Sequence, residues 1–126
     1  MKKVLAVDDN NDILEFISAV LEDIEVELVT ASNGEEGVMK AKQEKPDLIL
    51  LDVEMPIMDG FTVFKELKTF NDTKDIPVII LTGVEEKTGF QFSKEEMGVF
   101  YGSEPNFYLD KPINPEKLLK HVKKLI

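Results

Sequence analysis

The sequence predicts a single α/β domain, residues 1–126, built on a doubly wound parallel sheet with helices on both faces. Short apolar runs alternate along the chain with segments of helical periodicity. Residues 48–51 are all apolar, which is typical of a strand buried on both faces of a sheet. This run ends abruptly on Asp52, and open α/β sheets place their chemistry at such strand ends.

Five segments have the apolar or alternating character of strands. They are residues 4–7, 26–30, 48–52, 77–83 and 107–109. Helices are predicted between them over residues 12–22, from Ser32 to about 44, over 60–70, and from Asn114 onward. No linker, repeat or low-complexity segment interrupts the pattern, and this favours one domain over two.

Local signals define the helix ends. Ser32 followed three residues later by Glu35 matches a capping box, and this predicts Ser32 as the N-cap. Asn114 and Pro115 suit the N-cap and first turn of the last helix. Asp59-Gly60 is interpreted as a turn before the third helix and no more. His121, the only histidine, is predicted to lie on the surface of the last helix, near its negative end.

The segment 84–106 departs from this regularity, because it is longer than most connections in a compact domain. Six of the ten aromatic residues lie within residues 90–108, among them Phe90, Phe92 and Phe100, so the segment is expected to pack on something. A short helix is predicted at 94–101.

Composition excludes several classes of function. The net charge is −10 and all 15 basic residues are lysines, which disfavours binding to nucleic acid. The absence of cysteine excludes disulfides, thiolate metal sites and thiol nucleophiles. Neither a signal peptide nor a membrane span is recognisable, so we expect a cytoplasmic protein that does not enter a membrane.

Polar side chains follow four of the predicted strands. They are Asp8 and Asp9, Asp52, Thr82 and Lys111. Because the carboxyl ends of parallel strands share one edge of a sheet, these groups are expected to converge in one crevice. Clustered carboxylates need a cation or a proton, and oxygen ligands without His or Cys favour Mg²⁺. An ammonium and a hydroxyl beside a metal-bound carboxylate suit phosphoryl transfer, so we infer metal-assisted transfer onto Asp52.

These residues resemble the receiver domains of two-component response regulators, of the stand-alone, single-domain type, over essentially the whole chain. The matching blocks are VLAVDDN at 4–10, ASNGEE at 31–36, DVEMPIMDG at 52–60, Thr82-Gly83 and Lys111-Pro112. The resemblance implies a flavodoxin-like sheet of five strands in the order 2-1-3-4-5, with a lengthened segment between the fourth and fifth strands.

The resemblance also implies roles for individual residues. Asp52 would accept a phosphoryl group from a sensor histidine kinase or phosphotransfer protein. Asp9, Asp52 and the backbone carbonyl of Glu54 would bind Mg²⁺ directly, with Asp8 acting through water. Thr82 and Lys111 would hold the phosphoryl oxygens, Tyr108 would swing inward as Thr82 moves, and the bond preceding Pro112 would be cis.

By the same resemblance the domain is a signalling switch that assists its own phosphorylation, not an enzyme that turns over a substrate. Its output would be contact with an unknown target protein, and dimerisation on phosphorylation stays open. Residues 90–108 and the last helix are the expected contact face. Two departures bear on the output: the lengthened 84–106 segment, and Glu54 and Val84, which occupy positions that tune phosphoryl lifetime in the family.

Three alternatives use the same residues differently. A phosphatase of the haloacid-dehalogenase type also combines an aspartate, Mg²⁺, a threonine and a lysine. Its pattern, however, places the nucleophile on the first strand and a second aspartate where Glu54 stands here. A degenerate receiver would serve only as a docking module, although every acceptor residue is present. A flavin-binding protein is disfavoured because no Ser/Thr/Gly-rich phosphate loop follows the first strand.

Overall fold

A computed structural model describes residues 1–53, 55, 58–82 and 107–126, which form a five-stranded parallel sheet flanked by helices. The strands are β1 (Lys2–Val7), β2 (Val26–Ala31), β3 (Leu48–Asp52), β4 (Val78–Thr82) and β5 (Phe107–Asp110). The helices are α1 (Asn11–Leu21), α2 (Gly34–Glu44), α3 (Gly60–Thr69) and α4 (Pro115–Leu125). The strand order is β2-β1-β3-β4-β5, which confirms the predicted fold class.

The two faces of the sheet carry separate hydrophobic cores. Alternate residues of a strand point to opposite faces, so Leu5 and Val7 pack toward α2 and α3, whereas Val4 and Ala6 pack toward α1 and α4. Every residue of β3 and β4 is buried, because helices cover both faces of these central strands. The uninterrupted apolar runs in the sequence have this physical origin.

Helix α1 is anchored by a stripe of three buried residues, Leu14, Ile17 and Leu21. Ile13 and Val20 pack against the same core but are only partly buried. Asn10 is the N-cap, and its side-chain oxygen accepts a hydrogen bond from the Asp12 N–H at 2.9 Å.

The start of α2 lies one residue later than the capping-box match predicts, so Ser32 as the N-cap is wrong. Asn33 is the N-cap, and its side-chain oxygen accepts from the Glu36 N–H at 2.8 Å. Glu36 occupies the third helical position, and its carboxylate accepts from the Ser32 N–H at 2.7 Å. Two overlapping capping patterns are present in the sequence, Ser32 with Glu35 and Asn33 with Glu36, and serine and asparagine cap about equally well; the structure uses the second pattern.

His121 is half-buried at the surface of α4 rather than fully solvated. Its ring stacks on Phe107 at the start of β5, with 4.0 Å between ring centroids. Its Nδ1 atom is buried and has no hydrogen-bond partner among the described residues. Burial lowers the pKa of His121, and the charges of Lys120, Lys124 and Lys117 lower it further. Both effects disfavour the protonated imidazole, so they oppose the favourable interaction of a cation with the C-terminal end of the helix.

Two sequence predictions lie outside the described residues: the helix at 94–101, and the packing of Phe90, Phe92 and Phe100. Within the described ranges, none of the helices has both the length and the apolar character that crossing a bilayer requires.

The lowered pKa of His121 predicts a pH-dependent stability. Because the unfolded chain binds a proton at His121 more readily than the folded one, stability falls as pH drops through the unfolded value of about 6.5. His121→Phe preserves a ring against Phe107 and cannot titrate. Denaturant unfolding at pH 8 and pH 5 is expected to show the wild type losing stability relative to His121→Phe. Equal losses in the two proteins would contradict this assignment.

Candidate functional site

The strand ends converge as the sequence predicts. β1 and β4 both pair with β3, so the residues that follow β1 and end β3 lie side by side at the carboxyl edge of the sheet. Carboxylate oxygens of Asp8, Asp9 and Asp52 all lie within 4.8 Å of one another. Asp8 and Asp52 are 0% and 1% exposed, whereas Asp9 faces solvent. Two charged groups are thus buried at the edge of the core with a third beside them.

Lys111 bridges the two buried carboxylates. Its ammonium lies 2.9 Å from Asp52 Oδ1 and 3.1 Å from Asp8 Oδ2. Its backbone N–H donates to the Thr82 carbonyl at 2.6 Å, which fixes the residue directly after β5. Burial alone lowers the pKa of Lys111, but the hydrogen bonds and charges of Asp52 and Asp8 outweigh this effect, so the net pKa is raised. The lysine is held fully charged.

One ammonium does not balance three carboxylates. The excess negative charge at a partly buried site is stabilised either by proton uptake or by a further cation. The donor set consists of carboxylate oxygens, with no nitrogen or sulfur ligand among the described residues of the cluster. Such a set suits a hard divalent cation such as Mg²⁺ that retains several waters, so the residues present fit the metal that the sequence implies.

Gly60, the first residue of α3, packs closely against the backbone of Asp52 and Val53. The Gly60 N–H donates to the Val53 carbonyl at 3.0 Å. A Cβ atom on Gly60 would lie 2.2 Å from the Asp52 carbonyl oxygen and 2.6 Å from Val53 Cα, which no side chain permits. Asp59 caps the same helix by accepting from the Thr62 N–H at 2.9 Å. Asp59-Gly60 is therefore more than a turn before α3, because Gly60 packs against the backbone at the end of β3 and Asp59 caps the helix.

Thr82 ends β4 and lies opposite Asp110 of β5 in the strand register. Its hydroxyl donates to Asp110 Oδ1 at 3.3 Å. Asp110 was not singled out from the sequence, although its position directly before Lys111 placed it at the same sheet edge. Tyr108 lies two residues earlier on β5, where it packs against the core beneath α2 and α3 with its hydroxyl oxygen shielded from solvent.

The Lys111–Pro112 peptide bond is cis, as the resemblance implies. Glu54 lies outside the described residues, so its carbonyl as a metal ligand stays a prediction.

A comparison with known protein families identifies the kind of domain that carries this site. The family model for the response regulator receiver domain matches residues 4–123. The chain belongs to the response regulator receiver family. The strand-end aspartates, Thr82 and Lys111 thus lie in a domain of the class that the sequence motifs indicated.

Two relatives are similar to this chain over different shares of their own length. Protein PilH of Pseudomonas aeruginosa is 36% identical over 122 residues, which cover 97% of this chain and 95% of PilH. The transcriptional regulatory protein PhoP of Bacillus subtilis is 37% identical over 125 residues, covering 99% of this chain but 48% of PhoP. The chain thus spans nearly all of PilH and about half of PhoP.

Solved structures agree in fold. The chemotaxis protein CheY4 of Vibrio cholerae superimposes with a TM-score of 0.82 at 35% identity, covering 100% of this chain and 99% of CheY4. The receiver domain of the sensor histidine kinase PA1611 of Pseudomonas aeruginosa has a TM-score of 0.80 at 25% identity, covering 98% of this chain and 96% of that domain. That structure has a magnesium ion coordinated in its active-site cleft.

The excess of carboxylates predicts that Mg²⁺ stabilises the folded protein. A ligand that binds only the native state raises the unfolding free energy by about 2.7 kcal/mol at a hundred times its dissociation constant. Asp9→Ala is expected to lose most of this gain without unfolding the protein, because Asp9 is exposed. Thermal unfolding with Mg²⁺ and with a chelator measures the effect.

Asp12→Ala is the matched control for this experiment, because it removes an equally exposed carboxylate from the first turn of α1. It is expected to retain the full response to Mg²⁺. An equal response in Asp9→Ala and the wild type would contradict the assignment of Asp9 to the metal site.

Proposed function

We propose that this receiver domain accepts a phosphoryl group on the carboxylate of Asp52 in a Mg²⁺-dependent reaction. The observation that carries the proposal is the environment of Asp52. Its carboxylate is 1% exposed, contacts the Lys111 ammonium at 2.9 Å and lies within 4.8 Å of two further carboxylates. The contact with Lys111 orients this carboxylate for attack on phosphorus. The Lys111 ammonium lies on the side where negative charge would develop on the phosphoryl oxygens.

The described residues divide the work of the reaction. Asp52 supplies the oxygen that forms the new P–O bond while the P–N or P–O bond of the donor breaks and the donor's imidazole or carboxylate group leaves. Asp8 and Asp9 would complete an oxygen site for a divalent cation. When bound, that cation neutralises charge on the phosphoryl oxygens. Lys111 can turn its ammonium from Asp52 to a phosphoryl oxygen over a short distance, because it already spans Asp52 and Asp8. Thr82 offers a hydroxyl hydrogen bond from the neighbouring strand end.

The product of this reaction is a changed state of the domain and not a released molecule. We therefore propose a signalling switch that assists its own phosphorylation and dephosphorylation, with no further substrate. Thr82 and Tyr108 are the proposed switch residues, since both lie near the carboxyl end of the β4–β5 pair that borders the site. The carbonyl of Glu54 is proposed as the remaining protein ligand of Mg²⁺.

The proposed phosphoryl donor is a sensor histidine kinase or a phosphotransfer protein. Support comes from the sensor histidine kinase CheAY of Helicobacter pylori, 15% of which matches this chain at 36% identity over 125 residues. The proposed output is contact with a target protein, with a phosphorylation-dependent homodimer as one form of it. A net charge of −10 without arginine disfavours DNA as the direct partner of this segment. The proposed location is the cytoplasm.

The experiment is intact-mass analysis after incubation with Mg²⁺ and a small acyl phosphate. We expect one phosphoryl group on the wild type, none on Asp52→Asn and none when a chelator removes Mg²⁺. Asp12→Asn, a change of the same chemistry at an exposed position, is expected to be modified like the wild type. An adduct that persists in Asp52→Asn would assign the acceptor to another residue.

A further outcome of the same experiment bears on the phosphatase alternative. Rapid Mg²⁺-dependent consumption of many different phosphate esters, without an adduct, would contradict the switch and favour a phosphatase.

A further inference from the structure

We propose that Asp110 is a positioning residue that holds the Thr82 hydroxyl in the unphosphorylated domain and releases it when Asp52 is phosphorylated. The inference rests on the proposed function, because the release requires a phosphoryl oxygen as a competing acceptor. The observation behind it is the hydrogen bond from Thr82 Oγ1 to Asp110 Oδ1 at 3.3 Å.

The strand register builds this contact. Thr82 and Asp110 are paired residues at the ends of the parallel strands β4 and β5. Paired residues on neighbouring strands point to the same face of a sheet, so the hydroxyl and the carboxylate meet without a special loop conformation. The backbone bond from the Lys111 N–H to the Thr82 carbonyl, at 2.6 Å, holds the two strand ends together at this point.

The contact competes with the role proposed for Thr82. A threonine hydroxyl has a single proton to donate, so it cannot bond fully to Asp110 and to a phosphoryl oxygen at once. A length of 3.3 Å exceeds the usual 2.7–2.8 Å of such bonds, and Asp110 is exposed, so the contact is weak. A shorter bond to a charged phosphoryl oxygen in the buried site would replace it.

The same contact links the two proposed switch residues. Asp110 and Tyr108 are separated by one residue on β5, so their side chains lie on the same face of the sheet. When the Thr82 hydroxyl leaves Asp110, β5 loses a side-chain tie to β4 on the face where Tyr108 packs. The hydrogen bond to Asp110 is thus a barrier that phosphorylation must overcome. Its loss is felt directly by β5, the strand that carries Asp110.

The test is a double-mutant cycle on the binding of a phosphoryl mimic, beryllium trifluoride with Mg²⁺. Asp110→Ala removes the acceptor and its charge, and Thr82→Val removes the donor at similar size. Loss of the charge alone tightens anion binding in both backgrounds. Loss of the hydrogen bond tightens binding only where Thr82 is present. We expect Asp110→Ala to tighten binding about threefold more in the wild-type background than in the Thr82→Val background.

Asp110→Asn separates the two effects, because it removes the charge but retains a carbonyl acceptor. The affinity of Asp110→Asn for the mimic is expected to fall between the affinities of the wild type and of Asp110→Ala. Equal tightening by Asp110→Ala in the wild-type and Thr82→Val backgrounds would overturn the proposal and leave a purely electrostatic effect of Asp110.

A second arm keeps the test independent of phosphorylation. The same cycle, measured as unfolding free energy without Mg²⁺ or the mimic, is expected to show a positive coupling between Thr82 and Asp110. Absence of coupling there would overturn the proposal even if Asp52 is phosphorylated normally. A different result is that the cycle shows coupling while the wild type binds neither the mimic nor a phosphoryl group. That result would contradict the proposed function and leave Asp110 as a structural contact only.

Discussion

The contact of one ammonium group with two buried carboxylates is the interaction on which this structure depends. Asp8 and Asp52 are almost fully removed from water, and a buried charge without a partner is strongly destabilising. Lys111 supplies the partner for both, although it follows the last strand, far from either aspartate in sequence. The fold and the site therefore require each other, because only the assembled sheet brings this lysine to these aspartates.

The strand order explains why the site lies at this place. β1 lies between β2 and β3. The chain therefore passes from β1 to β2 at one edge of the sheet and then crosses back to β3 on the opposite side of β1. The connections that follow β1 and β3 diverge at this point and leave a crevice at the carboxyl ends of the strands. Asp8 and Asp9 follow β1 and Asp52 ends β3, so the carboxylates line that crevice. The concentration of negative charge at this edge of the sheet is thus a consequence of topology combined with three acidic residues.

Features set by uninterrupted local patterns were predictable from the sequence. The buried strands β3 and β4, the cap at Asn114 and the convergence of Asp8, Asp52 and Lys111 follow from apolar runs, capping chemistry and parallel strand geometry. Other side-chain contacts between different secondary-structure elements were not predicted from the sequence. The stack of His121 on Phe107 and the bond between Thr82 and Asp110 require the β5 register, which no local pattern contains.

Gly60 was misinterpreted for a related reason. Its Asp-Gly pair has the local chemistry of a turn, and only the β3–α3 packing shows that a Cβ there would collide with the Asp52 backbone. The predicted N-cap of α2 was wrong by one residue, because two residues that can cap a helix are adjacent and the sequence does not rank them. Local patterns therefore locate the site, and tertiary contacts decide how its residues are held.

The most direct test of this account is the stability of Lys111→Met with and without Mg²⁺. Removing the ammonium takes away the cation that contacts both buried carboxylates, so we expect a loss of about 3 kcal/mol in chelator. Mg²⁺ should then stabilise the variant more than the wild type, because the metal would compensate negative charge that Lys111 no longer compensates. Lys117→Met, at an exposed position of α4, should behave like the wild type. A Lys111→Met protein as stable as the wild type in chelator, or with no larger response to Mg²⁺, would contradict the account.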